Sequence, residues 1–225
     1  GEPRTALERI ERARDELGRS DRDAVVRLEG TAATVHYLAG QYDAAHALYV
    51  KARDRARRRG QQVDAAVCTA SPSLALTKYW GKQEGGANIP ASSSLAVTLR
   101  DLTTTTRVQR TTAEDTVLIE GAPQPAARYG PLFDALRAET GSTDHFLVES
   151  SNDFPTAAGL ASSSSGIAAL VCAVDALLAS GLPRWKLSRI ARVGSGSAAR
   201  AVFGGFTVFP AGGTEAAMVY DADYW

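Results

Sequence analysis

Apolar residues recur at three- and four-residue steps in the first quarter of the chain. Between residues 4 and 59 this spacing predicts three amphipathic helices. Ser20 and Asp21 offer a cap for the second predicted helix, Gly40 is predicted to end it, and a third helix is predicted from Asp43 to Arg59. The apolar stripe of the first helix consists of Ala6, Leu7, Ile10, Ala13 and Leu17.

From Gln62 onward the pattern changes to alternation and to short apolar runs rich in β-branched residues. The pattern predicts strands within 63–70, 73–80, 93–110, 114–121 and 144–151, and helices over 126–140, 157–180 and 183–193. Strands and helices mix here without strict βαβ alternation. The sequence therefore predicts an all-α region over 1–60, followed by an α+β domain over 61–225.

Composition adds few constraints. Among the 225 residues, 25 basic side chains balance 25 acidic ones, so no global field favours nucleic acid or an anionic membrane. The basic run 53–60 has no interleaved aromatic residues, and we interpret it as a helix end and linker. Gly166–Leu178 is too short to span a bilayer and contains Asp175, so it predicts a buried core helix.

The two cysteines and the first residues predict a cytoplasmic protein. Cys68 and Cys172 lie in separate apolar stretches, which indicates buried, reduced thiols. The charged start has no apolar leader segment. The three histidines are scattered without metal-ligand spacing, so no transition-metal site is expected.

Three segments carry candidate chemistry. In the first, residues 71–82, a strand ends in Lys78 and Lys82, which bracket two aromatic residues and Gly81. Cations at the end of a strand suit an anionic ligand, although a strand with snorkelling lysines has the same pattern.

The second segment, residues 152–178, is a loop of small residues that opens into a long apolar helix. Ser162–Ser165 crowd the first turn of this helix, where backbone N–H groups and the helix dipole attract phosphate. The segment matches neither a Walker A loop nor a dinucleotide-binding loop. Serines that only cap the helix are the alternative interpretation.

The third segment, residues 191–209, contains the small-residue turn Gly194–Ser197, predicted to expose N–H groups. Arg200 follows it with a fork suited to a carboxylate or phosphate. Gly204 and Gly205 predict a bulge or a close approach at the start of a strand.

Two resemblances follow from these motifs. The segment GTAATVHYLAGQYDAAHALYVKA resembles one tetratricopeptide repeat, which implies a helical hairpin and a protein partner for residues 1–60. The motifs KYWGK, NIPASSSLAVTL, FPTAAGLASSSSG and GSGSAARAVFGGF, in that order, resemble the diphosphomevalonate decarboxylases of the GHMP kinase superfamily over about 160 residues. This second resemblance implies a two-layer α/β sandwich of the GHMP kinase type.

The decarboxylase resemblance implies that ATP phosphorylates the 3-hydroxyl of mevalonate 5-diphosphate, after which phosphate and carbon dioxide leave to give isopentenyl diphosphate. ATP would bring Mg²⁺, for which Ser163 is the candidate protein ligand. Lys78 would lie near the reacting hydroxyl, and Arg200 would hold the carboxylate. The implied ATP-binding residues are Pro155, Ala158, Gly159, Leu160, Ser162 and Ser163. The implied substrate-binding residues are Tyr79, Trp80, Gly81, Lys82, Ser195, Gly196, Ser197, Ala198, Ala199 and Arg200.

Departures from the family pattern leave alternatives open. Ser73-Leu74-Ala75 replaces the usual Asn-Ile-Ala, and Asp153 stands where a second Asn is common. The alternatives are a decarboxylase of mevalonate monophosphate, a GHMP small-molecule kinase, and a non-catalytic partner-binding module. Lys82 favours a diphosphate, because a further anionic group calls for a further cation.

The family's catalytic aspartate lies in a carboxy-terminal segment that this chain does not match. We therefore expect the 225 residues to be the amino-terminal portion of the enzyme and inactive alone. Members of this family commonly form homodimers, so the resemblance also implies a homodimer for this chain.

Overall fold

The computed structural model describes residues 65–78, 80–84, 88–155 and 162–221. The strands are β1 (Ala65–Ala70), β2 (Ser73–Thr77), β3 (Ser94–Thr98), β4 (Thr104–Thr111), β5 (Thr116–Ile119), β6 (Ala122–Pro123), β7 (His145–Asn152), β8 (Phe206–Phe209) and β9 (Ala217–Tyr220). The helices are α1 (Ala126–Thr140), α2 (Ser162–Leu178), α3 (Arg184–Gly194) and α4 (Ala198–Ala201).

The strands form two sheets. The five-stranded sheet has the order β1-β4-β7-β5-β6, and the four-stranded sheet has the order β2-β3-β8-β9. β5 and β7 run parallel, and the other described pairs are antiparallel. Because only Ser71 and Pro72 separate β1 from β2, the chain passes from the first sheet to the second within two residues.

Helix α2 forms the centre of the fold. Its middle is buried almost all round, and it packs on β1 and β4 of the five-stranded sheet. Helices α3 and α4 pack beside it, and α4 also contacts β8 of the four-stranded sheet. A helix that is apolar all round has to be covered on every side, so its composition alone requires this central position.

The four-stranded sheet has two different faces. Ser94, Ala96 and Thr207 point toward the helices and are buried. Leu74 pairs with Val97 on the opposite face, where Leu74 remains half exposed. The alternation along each strand therefore places small polar side chains on the face that meets α4.

The sequence pattern predicted most of these elements. The mixture of strands and helices, the buried Gly166–Leu178 helix and both buried thiols are confirmed. β2 ends at Thr77, three residues before the predicted end, and 93–110 divides into β3 and β4 at a turn with Asp101 at φ 65°. Residues 1–64 lie outside the described residues, so the helical hairpin and the boundary at residue 60 remain predictions.

The close approach predicted at Gly204-Gly205 is confirmed at Gly205. Its φ is 68°, and a Cβ atom there would lie 2.2 Å from the carbonyl oxygen of Tyr220. The pairing of β8 with β9 shifts register beside it, between Phe206 and Thr207. Only glycine fits where β9 crosses so close to the start of β8.

Among the residues that the structure describes, no helix is long and apolar enough to cross a membrane.

Candidate active site

The first turn of α2 begins at Ser162, so the serine run lies where the sequence placed it. Ser162 is half buried and Ser163 is exposed. Backbone N–H groups at the first turn of a 17-residue helix have no partner within the helix, and the dipole makes this end attractive to anions. These two hydroxyls and the helix end can bind phosphate.

The other two serines of the run lie inside the protein. Ser164 and Ser165 are buried, and the Oγ of Ser165 lies 2.6 Å from Oγ1 of Thr104 on β4. Thr104 in turn donates to Oδ1 of Asn152 at 2.6 Å. Ser165 therefore fastens α2 to the five-stranded sheet, and Ser162 and Ser163 are the two less buried serines of the run.

Ser162 and Ser163 border a cleft of about 360 Å³ between the first half of α2, the five-stranded sheet and the start of α1. A volume of this size is within the usual range for a small-molecule site. The lining residues are Thr104, Val117, Ile119, Glu120, Gln124, Arg128, Tyr129, Val148, Ser150, Asn152, Ser162, Ser163, Gly166, Ile167 and Leu170. The walls are mainly aliphatic and the rim is polar, which suits a flat heterocycle joined to phosphates.

Arg128 and Tyr129 line the α1 side of the cleft. The guanidinium of Arg128 lies 5.6 Å from the ring centre of Tyr129, and burial raises the pKa of the Tyr129 phenol above its ordinary value. The phenol therefore stays neutral near pH 7. On the opposite rim, Oε1 of Glu120 accepts the backbone N–H of Asn152 at 2.7 Å, which fixes the end of β7.

A second group of site residues follows β2. Lys78, Trp80 and Lys82 are exposed, and 79% of the Trp80 surface is accessible. In the described part of the chain, neither ammonium group forms an ion pair with an acidic side chain. The backbone of Lys82 bridges to Pro90, which folds this stretch back toward β3.

Three consecutive serines at the start of β3, here called the serine triplet (Ser92, Ser93 and Ser94), join distant segments of the chain. The Oγ of Ser92 accepts the backbone N–H of Trp80 at 2.9 Å. The Oγ of Ser93 accepts the N–H of Ala211, also at 2.9 Å. The Oγ of Ser94 accepts Nη1 of Arg200 at 2.5 Å. The triplet thus links the stretch after β2 to the loop after β8 and to α4.

One amide of the turn before Arg200 and two amides that follow the turn are hydrogen-bonded within the chain. Ser195 donates to the carbonyl oxygen of Ala191, Ala198 to that of Ser195, and Arg200 to that of Ser197. These three amides therefore do not bind a ligand as arranged here. The two hydroxyls of the turn, on Ser195 and Ser197, lie 3.1 Å apart and are the polar groups the turn presents.

Two contacts join the end of α3 to Asn88, before β3, and to α2. Nδ2 of Asn88 donates to the carbonyl oxygens of Arg192 and Val193 at 2.9 and 3.0 Å, at the end of α3. A Cβ atom on Gly194 would lie 3.0 Å from Ile167 of α2, so α3 and α2 pack too closely there for a larger side chain. Since Ile167 lines the cleft, the end of α3 lies against its wall.

Sequence reasoning missed several of these residues. Asn88, Thr104 and the serine triplet were not assigned to the site, although three serines before a strand are a visible signal. Asp153 accepts the N–H of Thr103 at 2.6 Å, which joins the end of β7 to the start of β4. Tyr79, Ala158, Gly159 and Leu160 lie outside the described residues, and Pro155 is exposed at their border.

Metal ligands are not grouped in this part of the chain. Among residues 65–78, 80–84, 88–155 and 162–221, no three His, Cys, Asp or Glu side chains cluster as a metal site would require. A hydroxyl ligand such as Ser163, next to bound phosphates, is compatible with this arrangement.

Comparison with known proteins agrees with this geometry. The chain is 39% identical to a diphosphomevalonate decarboxylase of Eremothecium gossypii over 186 residues, which covers 71% of this chain and 46% of that protein. The structure of a Staphylococcus aureus mevalonate diphosphate decarboxylase superposes with a TM-score of 0.65 at 34% identity, over 71% of this chain and 51% of that one.

A solved complex of MDDEF with MVAPP, AMPPCP and magnesium superposes with a TM-score of 0.62 at 37% identity, covering 70% of this chain and 51% of that chain. This chain thus spans about half the length of the relatives it matches. Residues 70–219 match the family described as the diphosphomevalonate decarboxylase-like N-terminal domain, and the chain belongs to that family.

Proposed function

We propose that this domain supplies the ATP site and the substrate carboxylate site of an ATP-dependent decarboxylase that converts mevalonate 5-diphosphate into isopentenyl diphosphate. The observation that carries the proposal is the cleft that Ser162 and Ser163 border at the start of α2. The exposed lysines after β2, and Arg200, which the serine triplet links to the stretch after β2, add groups that bind anions. The family match over residues 70–219 supports it.

On this proposal, ATP lies with its base in the cleft and its phosphates at Ser162 and Ser163. Phosphoryl transfer depends mostly on positioning and on stabilising charge, which a helix end and two hydroxyls provide. Ser163 is the described side chain that would bind Mg²⁺, which when bound neutralises charge on the phosphates. The relative solved with AMPPCP and magnesium supports this pairing of ligands.

The substrate would lie toward Lys78, Lys82 and Arg200. Its 3-hydroxyl takes the γ-phosphoryl group of ATP, and ADP leaves. The C–O bond to this phosphate then breaks as the C–C bond to the carboxylate breaks, which releases phosphate and carbon dioxide and leaves the double bond of isopentenyl diphosphate. Arg200 orients the carboxylate, Lys78 lies near the 3-hydroxyl, and Lys82 binds the diphosphate.

Binding to the 225-residue chain tests the proposal directly. Calorimetry with AMPPCP and with mevalonate 5-diphosphate should give saturable binding of each, and mevalonate 5-phosphate should bind about tenfold more weakly because it lacks one anionic group. Equal affinity for the two substrates would favour a monophosphate decarboxylase. Absence of binding by AMPPCP and both substrates would favour the non-catalytic module.

Turnover separates decarboxylase from kinase. The chain would be joined to the residues of the Eremothecium gossypii protein that follow the matched region, and ADP and carbon dioxide would be measured together. Equal amounts are expected. ADP without carbon dioxide would indicate a GHMP kinase that stops after phosphorylation. Circular dichroism of the joined protein shows whether an inactive sample is folded.

The cytoplasmic location, the homodimer and a partner for the 1–60 region also remain proposals. Light scattering of the purified chain tests the dimer, which would have twice the mass of 23.7 kDa.

A further inference from the structure

The hydrogen bond between Ser94 and Arg200 is almost completely buried. Only 1% of Ser94 and 4% of Arg200 is exposed, and the hydroxyl oxygen lies 2.5 Å from Nη1. A hydrogen bond from a charged group is shorter and stronger than one between neutral groups, and exclusion of water strengthens it further. Ser94 therefore restrains one arm of the Arg200 fork.

The position of Ser94 is itself fixed from several sides. Ser94 begins β3 and pairs with Phe209 of β8. The two preceding serines bind the backbone N–H groups of Trp80 and Ala211. A side chain as short as serine on a strand held in this way has little freedom, so its hydroxyl is a fixed acceptor rather than a mobile one.

A fixed acceptor determines the plane of a guanidinium. The group is flat and its N–H bonds diverge at set angles, so holding Nη1 sets the direction of the other N–H bonds. Arg200 also belongs to the four-residue helix α4, which fixes its backbone but leaves four side-chain torsions to be set. Ser94 constrains these torsions through its hydrogen bond to the guanidinium.

We propose that Ser94 is the positioning residue for Arg200: its hydroxyl turns the guanidinium into the orientation that accepts the substrate carboxylate. This inference rests on the proposed function for the identity of the ligand. It predicts that the loss of one hydroxyl weakens recognition of the carboxylate and leaves recognition of the diphosphate and of ATP unchanged.

Two diphosphates test this prediction on the 225-residue chain: mevalonate 5-diphosphate has the carboxylate and the 3-hydroxyl, and isopentenyl diphosphate has neither. Ser94→Ala should bind mevalonate 5-diphosphate about tenfold more weakly than the unmodified chain, as expected for a misaligned charged hydrogen bond. Its affinity for isopentenyl diphosphate, which has no carboxylate, and for AMPPCP should stay within about twofold. Equal losses for the two diphosphates would overturn the inference, because a merely structural role would affect both.

Ser93→Ala is the matched control. It removes a hydroxyl from the neighbouring residue, which accepts the Ala211 amide instead of Arg200. Its affinity for the two diphosphates should change equally if it changes. A loss specific to the carboxylate in Ser93→Ala would contradict a special role for Ser94.

A double variant shows whether Ser94 acts through Arg200. In the Arg200→Lys background, adding Ser94→Ala should produce no further loss of mevalonate 5-diphosphate affinity, since coupled residues are not additive. Full additivity of the two losses would overturn the inference.

In a nitrogen-15 NMR spectrum, the guanidinium signals of Arg200 should show restricted rotation in the unmodified chain and averaging in Ser94→Ala.

The NMR result separates the two possible failures. If the unmodified chain bound no mevalonate diphosphate, the proposed function would fail, yet restricted rotation that depends on Ser94 would still support a positioning role. If the substrate bound and the Arg200 signals did not respond to Ser94→Ala, the positioning role would fail and the proposed function would stand.

Discussion

The two sides of the candidate site are built differently. On the nucleotide side, one segment supplies the end of α2 and its two exposed hydroxyls, and the sheet beneath provides an apolar cleft. On the Arg200 side, the stretch after β2, the serine triplet and α4 are up to about 120 residues apart and are joined by single hydroxyl contacts. The nucleotide side keeps its geometry because its groups belong to one continuous helix. The Arg200 side depends on correct pairing of the strands in the four-stranded sheet.

This difference implies that the Arg200 side is the more sensitive to small changes in packing. Four substitutions test that comparison, from the largest expected effect to the smallest.

Gly205→Ala should have the largest effect. A Cβ atom at φ 68° would lie 2.2 Å from the carbonyl oxygen of Tyr220, so β8 and β9 would have to separate. We expect the free energy of unfolding to fall by at least about 4 kcal/mol, measured by urea denaturation. Gly121→Ala is the control: its φ is 76° but a Cβ atom there meets nothing within 4 Å, so only the backbone cost of about 1 to 2 kcal/mol applies. Equal losses would contradict the close approach.

Arg200→Lys should separate the two sides by ligand. Lysine keeps the charge but cannot bind Ser94 and a carboxylate with one planar fork. We expect mevalonate 5-diphosphate affinity to fall about 100-fold and AMPPCP affinity to stay within about twofold. Arg107→Lys, which changes an exposed arginine paired with Glu149 at 2.7 Å, should alter neither affinity. An equal fall in AMPPCP affinity would show that the two sides are not independent.

The sequence predicted the nucleotide side better than the Arg200 side, for a physical reason. Ser162 and Ser163 are adjacent and begin the helix that their own neighbours specify, so a local pattern contains the geometry. The partner of Arg200 is Ser94, 106 residues earlier, and no periodicity relates them. Likewise β6 has two residues and β9 is an exposed edge strand, so neither has the alternation that reveals a strand. The sequence also did not reveal the close packing at Gly194, because a glycine at this position is typical of a turn.

Gly194→Ala tests the place where the two sides touch. Its Cβ atom would lie 3.0 Å from Cδ1 of Ile167 and 3.3 Å from Cδ2 of Leu132, so both side chains would have to move. We expect a loss of about 1 to 3 kcal/mol in the free energy of unfolding. Because Ile167 lines the cleft, AMPPCP affinity should fall as well.

The control for this packing is Gly166→Ala. Its Cβ atom would meet Ser150 and Thr104 at the ordinary distances of 3.8 and 3.9 Å, inside a helix. Alanine in a helix has less freedom to lose than glycine, so stability should rise by about 0.5 to 1 kcal/mol. A destabilised Gly166→Ala with an unaffected Gly194→Ala would reverse the assignment of the crowded contact.

The smallest effect should come from within the serine run itself. The Oγ of Ser164 is buried and has no hydrogen-bond partner in the part of the chain that the structure describes, whereas the neighbouring Ser165 binds Thr104. A buried hydroxyl without a partner costs free energy, so Ser164→Ala should raise the free energy of unfolding by about 0.5 kcal/mol, after allowing for the small void left behind. Ser165→Ala should lower it by about 1 kcal/mol, because the buried hydrogen bond between Ser165 and Thr104 is lost while Thr104 keeps Asn152 as a partner. Urea denaturation of both variants, each with and without AMPPCP, checks this pair. A Ser164→Ala variant that is destabilised only when AMPPCP is present would show that this hydroxyl belongs to the nucleotide side, which would then include three serines of the run instead of two.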